Sequence, residues 1–190
     1  MRVALFGGSF NPPHVAHQMA ALYVLETAPV DQLWFVPCFK HPFNKSLASF
    51  EDRFEMCRLT AAALGARAQV SDIEQVIGAE SRTLKTVRRL QEDYRQHQFS
   101  WVIGSDLVEE VDSWQGGDEL RRTLPLLVVG RMGAGESQAE AETAPVAMPA
   151  VSSTDIRQRL RDGKAIQGLV PRTVLDYIYR RGLFHAREPE

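Results

Sequence analysis

Five short runs rich in β-branched and aromatic residues alternate along this chain with longer segments of helical periodicity, the signature of a parallel sheet wrapped by helices. The predicted strands are Val3 to Phe6, Gln32 to Val36, Ala68 to Ser71, Phe99 to Ile103 and Leu126 to Val129, each short enough to be a buried parallel strand. Between them, His14 to Thr27, Phe50 to Leu64 and Thr83 to His97 are predicted as helices. The second carries apolar residues at Phe50, Phe54, Met56, Cys57, Leu59, Ala61 and Leu64. Residues 131 to 149 break the pattern with Gly133, Gly135, Glu136, Glu140, Glu142, Pro145 and Pro149 among alanines, the composition of a mobile loop or lid. Two closing helices follow, Ser153 to Arg161 and Thr173 to Arg181; Pro171 introduces the second and Gly182 is placed to stop it.

At 190 residues and 44% apolar composition, the chain suits one core, so residues 1–190 are expected to form a single domain. Lys and Arg number 22 against 24 acidic residues, and the net charge of -2 gives no general electrostatic reason to bind duplex DNA or a membrane surface. Any anion site must therefore be built locally. Cys38 and Cys57 have no paired spacing for a metal clamp or disulfide framework, which favours a reducing compartment. Met1 to Phe6 is apolar for too few residues to be a secretory segment, and no run reaches the length of a membrane helix. A cytoplasmic location is the expectation.

The most informative stretch is Phe6-Gly7-Gly8-Ser9-Phe10-Asn11-Pro12-Pro13-His14-Val15-Ala16-His17. A buried strand runs into two glycines, a proline turn and a helix with histidines at i and i+3. In a parallel sheet ligands bind at the carboxyl ends of strands, where glycines admit close approach and N–H groups at a helix start favour an anion. Two imidazoles add donors for phosphoryl oxygens. Bland readings compete: a tight turn needs glycine anyway, and two histidines suit zinc. Zinc lacks a third ligand here, and a dinucleotide fold of the dehydrogenase type lacks its G-x-G-x-x-G.

A second phosphate signature is Ser152-Ser153-Thr154-Asp155-Ile156-Arg157, directly before a helix of apolar periodicity. Ser152 as N-cap with Asp155 at the third helical position makes a capping box, usually worth about 1 kcal/mol. Capping leaves Arg157 unexplained. A hydroxyl-rich helix start with a guanidinium one turn in suits the outer phosphates of a nucleoside triphosphate.

Together these motifs resemble the H-x-G-H nucleotidyltransferase superfamily, and within it the bacterial nicotinate-nucleotide adenylyltransferases. The resemblance spans nearly the whole chain. It includes Pro37 with Lys40-His41-Pro42-Phe43-Asn44-Lys45, Ser81-x-Thr83-x-x-Thr86, Ile103-Gly104-Ser105-Asp106 with Trp114, and Tyr177-Ile178 through Gly182-Leu183-Phe184. It implies an α/β fold, a Rossmann-like open parallel sheet with helices on both faces and a small C-terminal helical portion. The implied activity is transfer of AMP from ATP to nicotinate mononucleotide, giving deamido-NAD and pyrophosphate, with Mg²⁺ bound mainly through the ATP phosphates and no protein-held metal.

Carried over by position, His14, His17 and Arg157 are the implied catalytic residues. Gly7, Gly8, Ser9, Phe10, Gly104, Asp106, Ser152 and Ser153 are the implied ATP site, with Gly104 and Asp106 at the ribose. Lys45, Thr83 and Trp114 are implied at the acceptor, Trp114 stacked on the pyridine and Thr83 near its carboxylate. The implied partners are ATP and nicotinate mononucleotide, with no nucleic acid and no membrane, in a monomer or homodimer. Ala16 replaces the usual glycine between the histidines, Arg82 stands where tyrosine is common, Gln115 follows Trp114 in place of an aromatic, and the Lys40–Lys45 run is altered. Because these departures gather at the acceptor side, another acceptor such as nicotinamide mononucleotide, phosphopantetheine or another phosphorylated compound is the alternative.

Overall fold

The strand-forming runs pair into one five-stranded parallel sheet in a computed structural model that describes residues 1–41, 46–80, 82–130 and 148–185. The strands are β1 (Arg2–Gly8), β2 (Gln32–Pro37), β3 (Ala68–Val70), β4 (Gln98–Gly104) and β5 (Leu126–Val129), in the order β3-β2-β1-β4-β5. Leu5 at the centre lies opposite Trp34 on one side and Trp101 on the other. Strand order reverses between β1 and β4, so the helices leaving those strands depart to opposite faces and a crevice opens at the carboxyl ends.

Alternation along the strands sorts side chains into two cores, as the pleat requires. Ala4, Leu33, Phe35, Val102 and Val129 face the buried Ala16, Ala20 and Val24 of α1 (Val15–Thr27) and Cys57 and Ala61 of α2 (Phe50–Ala62). Val3, Leu5, Trp34, Val36, Trp101 and Ile103 face the other way. They meet Ile73 of α3 (Ile73–Ile77), Val87 and Leu90 of α4 (Thr83–Asp93) and Leu120 of α5 (Gly117–Thr123).

A third cluster builds the C-terminal portion. Met56 of α2 packs with Ile156 and Leu160 of α6 (Ser153–Arg161) and with Val174, Leu175 and Ile178 of α7 (Arg172–Arg181). A polar tie completes the seam: the Asp52 carboxylate, in the first turn of α2, accepts the Tyr177 hydroxyl at 2.9 Å, Arg181 Nε at 3.2 Å and the Ser49 hydroxyl at 2.8 Å. Gly182, at φ 59, closes α7 in the left-handed region that favours glycine.

Several boundaries differ from expectation for local reasons. His14 is the N-cap of α1 and not its first turn. The third predicted helix stops at Asp93, because Tyr94 and His97 turn to stack on each other at 5.4 Å and to meet Trp34 edge-on. Between Leu64 and Ala68 the chain turns at Gly65, φ +81, which ends α2 early. α3, the 3-10 turns Ser105–Leu107 and Glu109–Ser113, and α5 were not predicted, being too short to show a period.

Candidate active site

The carboxyl ends of β1, β2, β4 and β5 open on one cavity of about 440 Å³, a size suited to part of a nucleotide. At its walls stand Gly7, Gly8 and Ser9 from the end of β1, His14 and His17 from the start of α1, and Gly104 and Asp106 from the end of β4. Thr83 of α4 and Trp114, just after the second 3-10 turn, line it as well. Two motifs separated by most of a hundred residues thus converge because β1 and β4 are neighbours.

The glycines here answer first to packing. A Cβ on Gly7 would sit 2.2 Å from the Trp101 ring, one on Gly8 3.0 Å from the Phe10 ring, and one on Gly104 2.4 Å from Asp106 Oδ1. Gly7 therefore lets the Trp101 indole lie against the strand end, and Gly104 leaves room for the Asp106 carboxylate at the cavity wall.

The two imidazoles act as a unit. Their rings stack 3.7 Å apart at 26°, and the His14 backbone N–H donates to His17 Nδ1 at 3.2 Å. That bond leaves Nδ1 unprotonated, so neutral His17 carries its proton on Nε2 and offers an N–H donor from that edge. Phe10 meets the His17 ring in an edge-type contact, centroid to centroid 5.0 Å.

The second motif reaches the first through hydrogen bonds. The Ser153 hydroxyl donates to the Pro12 carbonyl at 2.8 Å, and Arg157 donates to the Asn11 carbonyl at 2.8 Å, so the start of α6 is fastened to the turn that precedes α1. The Asn11–Pro12 peptide in that turn is cis. Ser152 caps α6 as expected, accepting from the Asp155 N–H at 3.1 Å and donating to its carboxylate at 2.7 Å. Burial, with the nearby charge of Arg161, lowers Arg157 from its ordinary value, and a guanidinium remains charged regardless.

The structure revises some expectations. The Phe10 side chain is core, 2% exposed among Phe6, His17 and Phe35, so any contact it makes with ATP is through its backbone. Ser152, Ser153 and Arg157 do not line the 440 Å³ cavity itself; they border the loop that forms its rim, with Ser152 bounding a separate groove along α6. Lys45 and its neighbours 42–44, Ser81, and residues 131–147 of the expected lid lie outside the described residues. Met148 and Pro149, which follow, line the cavity.

Sequence reasoning missed Trp101, Glu74 and Arg53. Trp101 was legible only as a strand residue. Glu74 stands in a helix too short to detect, buried at the cavity wall. Arg53, 1% exposed, donates to the carbonyls of Ser9 and Ala48 at 3.0 Å each and packs over Phe50, tying the loops after β1 and before α2 together. It makes no ion pair among the described residues, and with the Phe39 carbonyl at 3.5 Å the carbonyls of three loops solvate a buried cation. Cys38 beside it is a free thiol held above its ordinary value by burial, as is Cys57.

No group of three or more His, Cys, Asp or Glu side chains among the described residues converges as a metal site, and no described helix is long and apolar enough to cross a membrane.

Comparison with known proteins agrees with this geometry. A cytidylyltransferase-like family profile matches residues 5–159. A protein of Anaeromyxobacter sp. (strain K) named "Probable nicotinate-nucleotide adenylyltransferase" is 43% identical over 188 residues, covering 96% of each chain. One of the same name from Thermus thermophilus is 35% identical over 186 residues, covering 97% of this chain and 100% of the other. Among solved structures, Plasmodium falciparum nicotinic acid mononucleotide adenylyltransferase complexed with NaAD superposes with a TM-score of 0.81 over 99% of both chains at 20% identity, a likeness of fold. Full-length identity on this scale, in a chain whose glycine loop and paired imidazoles line one crevice with the Ser-Arg helix fastened to the turn between them, leads to one conclusion: the chain belongs to the cytidylyltransferase-like family, among its nicotinate-nucleotide adenylyltransferases.

Proposed function

We propose that this chain transfers AMP from ATP to nicotinate mononucleotide, forming deamido-NAD and pyrophosphate. The observation that carries the reading is one cavity lined both by phosphate-type donors, His14 and His17 beside Gly8, and by an aromatic and a hydroxyl, Trp114 and Thr83. The naming of the 43% identical relative accords with it.

The acceptor's 5′-phosphate is already an anionic nucleophile, so the reaction needs positioning and charge stabilisation more than a general base. One of its oxygens forms a bond to the α-phosphorus of ATP as the bond from that phosphorus to the bridging oxygen breaks in line, and pyrophosphate departs with the electron pair. The Nε2–H of His17 donates to a non-bridging α-phosphate oxygen as charge develops there, held in aim by the His14 N–H at its other nitrogen. The main chain of Gly7 and Gly8 lies close enough to the strand end for a phosphate to approach it.

Gly104 and Asp106 receive the ATP ribose, the carboxylate accepting from its hydroxyls. Arg157 commits one N–H to Asn11 and another to Thr154, and keeps further donors for the outer phosphates. Ser153 fixes the helix start from which it reaches. Lys45 meets acceptor or triphosphate oxygens, and Trp114 and Thr83 meet the pyridine and its carboxylate.

Mg²⁺ would be carried by the ATP phosphates and water, the usual habit of this ion. When bound, it supplies neutralising charge on the transferring phosphates.

Pyrophosphate release from ATP, measured with nicotinate mononucleotide, nicotinamide mononucleotide and phosphopantetheine as separate acceptors, tests the reading. Nicotinate mononucleotide is expected to give the highest kcat/KM; preference for another acceptor would transfer the function to that compound, and ATP-dependent thermal stabilisation without turnover on any of them would make the chain a nucleotide-binding module.

A further inference from the structure

We propose that Glu74 is a positioning residue that fixes the acceptor end of the cavity by fastening the segment after β2 to the first turns of α4. The proposal rests on reading that end as the acceptor site. Glu74 is 6% exposed and lines the cavity. Its Oε2 accepts the Phe39 backbone N–H at 3.0 Å, and its Oε1 accepts the Thr86 hydroxyl at 2.9 Å. One carboxylate on α3 thus joins two stretches of chain, each carrying a cavity residue: His41, two positions beyond Phe39, and Thr83, one turn before Thr86.

A buried carboxylate is costly to desolvate, and two donors offset that cost without making an acid preferable to a well-packed apolar side chain. Stability alone therefore does not account for an acid here. Position does, because the carboxylate joins the Phe39 N–H to the Thr86 hydroxyl, and the Lys40–Glu80 bridge pairs the same two stretches beside it. The opposite flank of the same segment is held differently. Arg53 reaches the Phe39 carbonyl at 3.5 Å and, more closely, the Ser9 carbonyl at 3.0 Å, on the phosphate side. Removing Glu74 loosens the acceptor wall while leaving the Arg53 contacts with the glycine loop in place. The two substrates are then affected unequally.

The test is steady-state kinetics of Glu74→Ala, Glu74→Gln and Thr86→Val, with ATP and nicotinate mononucleotide varied separately, at a temperature well below each variant's Tm. Glu74→Ala is expected to raise the acceptor KM by about tenfold or more and the ATP KM by no more than about twofold. Glu74→Gln is expected to recover most of the loss. Its amide oxygen accepts from Phe39 and its NH₂ donates to Thr86, whose hydroxyl turns to the Arg82 carbonyl it already reaches at 3.2 Å. Thr86→Val moves the acceptor KM in the same direction by less, and supplies the answer if the alanine variant does not fold. The proposal is overturned if both KM values rise together in step with lost Tm, if the acceptor KM is unmoved, or if glutamine is as damaging as alanine. Failure of the wild type to use nicotinate mononucleotide strikes the proposed function alone; the same split is then measured with the acceptor that is turned over.

Discussion

At His17 a single backbone hydrogen bond sets which ring nitrogen carries the proton. With Nδ1 engaged by the His14 N–H, the ring presents its proton from Nε2, and the stacked His14 ring and the edge of Phe10 keep it from rotating away. Replacing one preorganised donor of this kind typically costs about 10² to 10³ in rate, so His17→Ala should lose turnover on that scale. Its circular dichroism spectrum and melting transition should stay close to wild type. Near-normal kcat in that variant would remove His17 from the mechanism. At this scale the sequence showed the residue types, imidazoles three apart after a glycine pair, and the structure brings them to one cavity. The cause of the glycines was not legible there, because the Trp101 ring that Gly7 must admit comes from a distant strand. Arg53 and Glu74 were hidden for the same reason: a buried charge declares itself only through partners brought from elsewhere in the fold.

Among elements, the seam between α2 and α7 has a pH dependence written into it. Burial pushes the Asp52 carboxyl up, but hydrogen bonds from Ser49, Tyr177 and Arg181, with the charge of Arg181, outweigh it and hold the group below its ordinary value. An acid depressed on folding contributes stability above its unfolded pKa of about 3.9 and loses that contribution as pH falls through the folded value. Asp52→Asn should therefore melt below wild type near neutral pH, and the gap should shrink as pH is lowered beneath about 4. Thermal scans of both proteins across that range check it, and a gap independent of pH would contradict the electrostatic account. Arg181 is more than half exposed, so the Tyr177 hydrogen bond carries most of the tie across the seam. The central strands were readable because their middles are buried and nearly continuous in apolar residues, whereas edge strand β3 keeps Gln69 exposed. α3 and α5 were not readable, since five and seven residues complete too few turns to show a period.

For the molecule as a whole, strand order is what turns two motifs into one site. Alternation of strand and helix implies a parallel sheet, but nothing in the local pattern states that β4 returns to lie beside β1, and that neighbourhood is what brings Gly104, Asp106 and Trp114 to the glycine loop. The C-terminal portion arrives by a separate route. Apolar packing of α6 and α7 on Met56 carries it to the sheet, and Ser153 and Arg157 then fasten it to the carbonyls of Pro12 and Asn11. The two motifs are joined by hydrogen bonds, although Arg157 does not line the cavity. The structure of the chain in complex with a non-hydrolysable ATP analogue and Mg²⁺ is the most direct measurement of this arrangement. One triphosphate should lie within hydrogen-bond reach, about 3.5 Å, of the Gly8 main chain, the His17 imidazole and the Arg157 guanidinium together; a triphosphate held by only one of the two motifs, with the other out of contact, would contradict it.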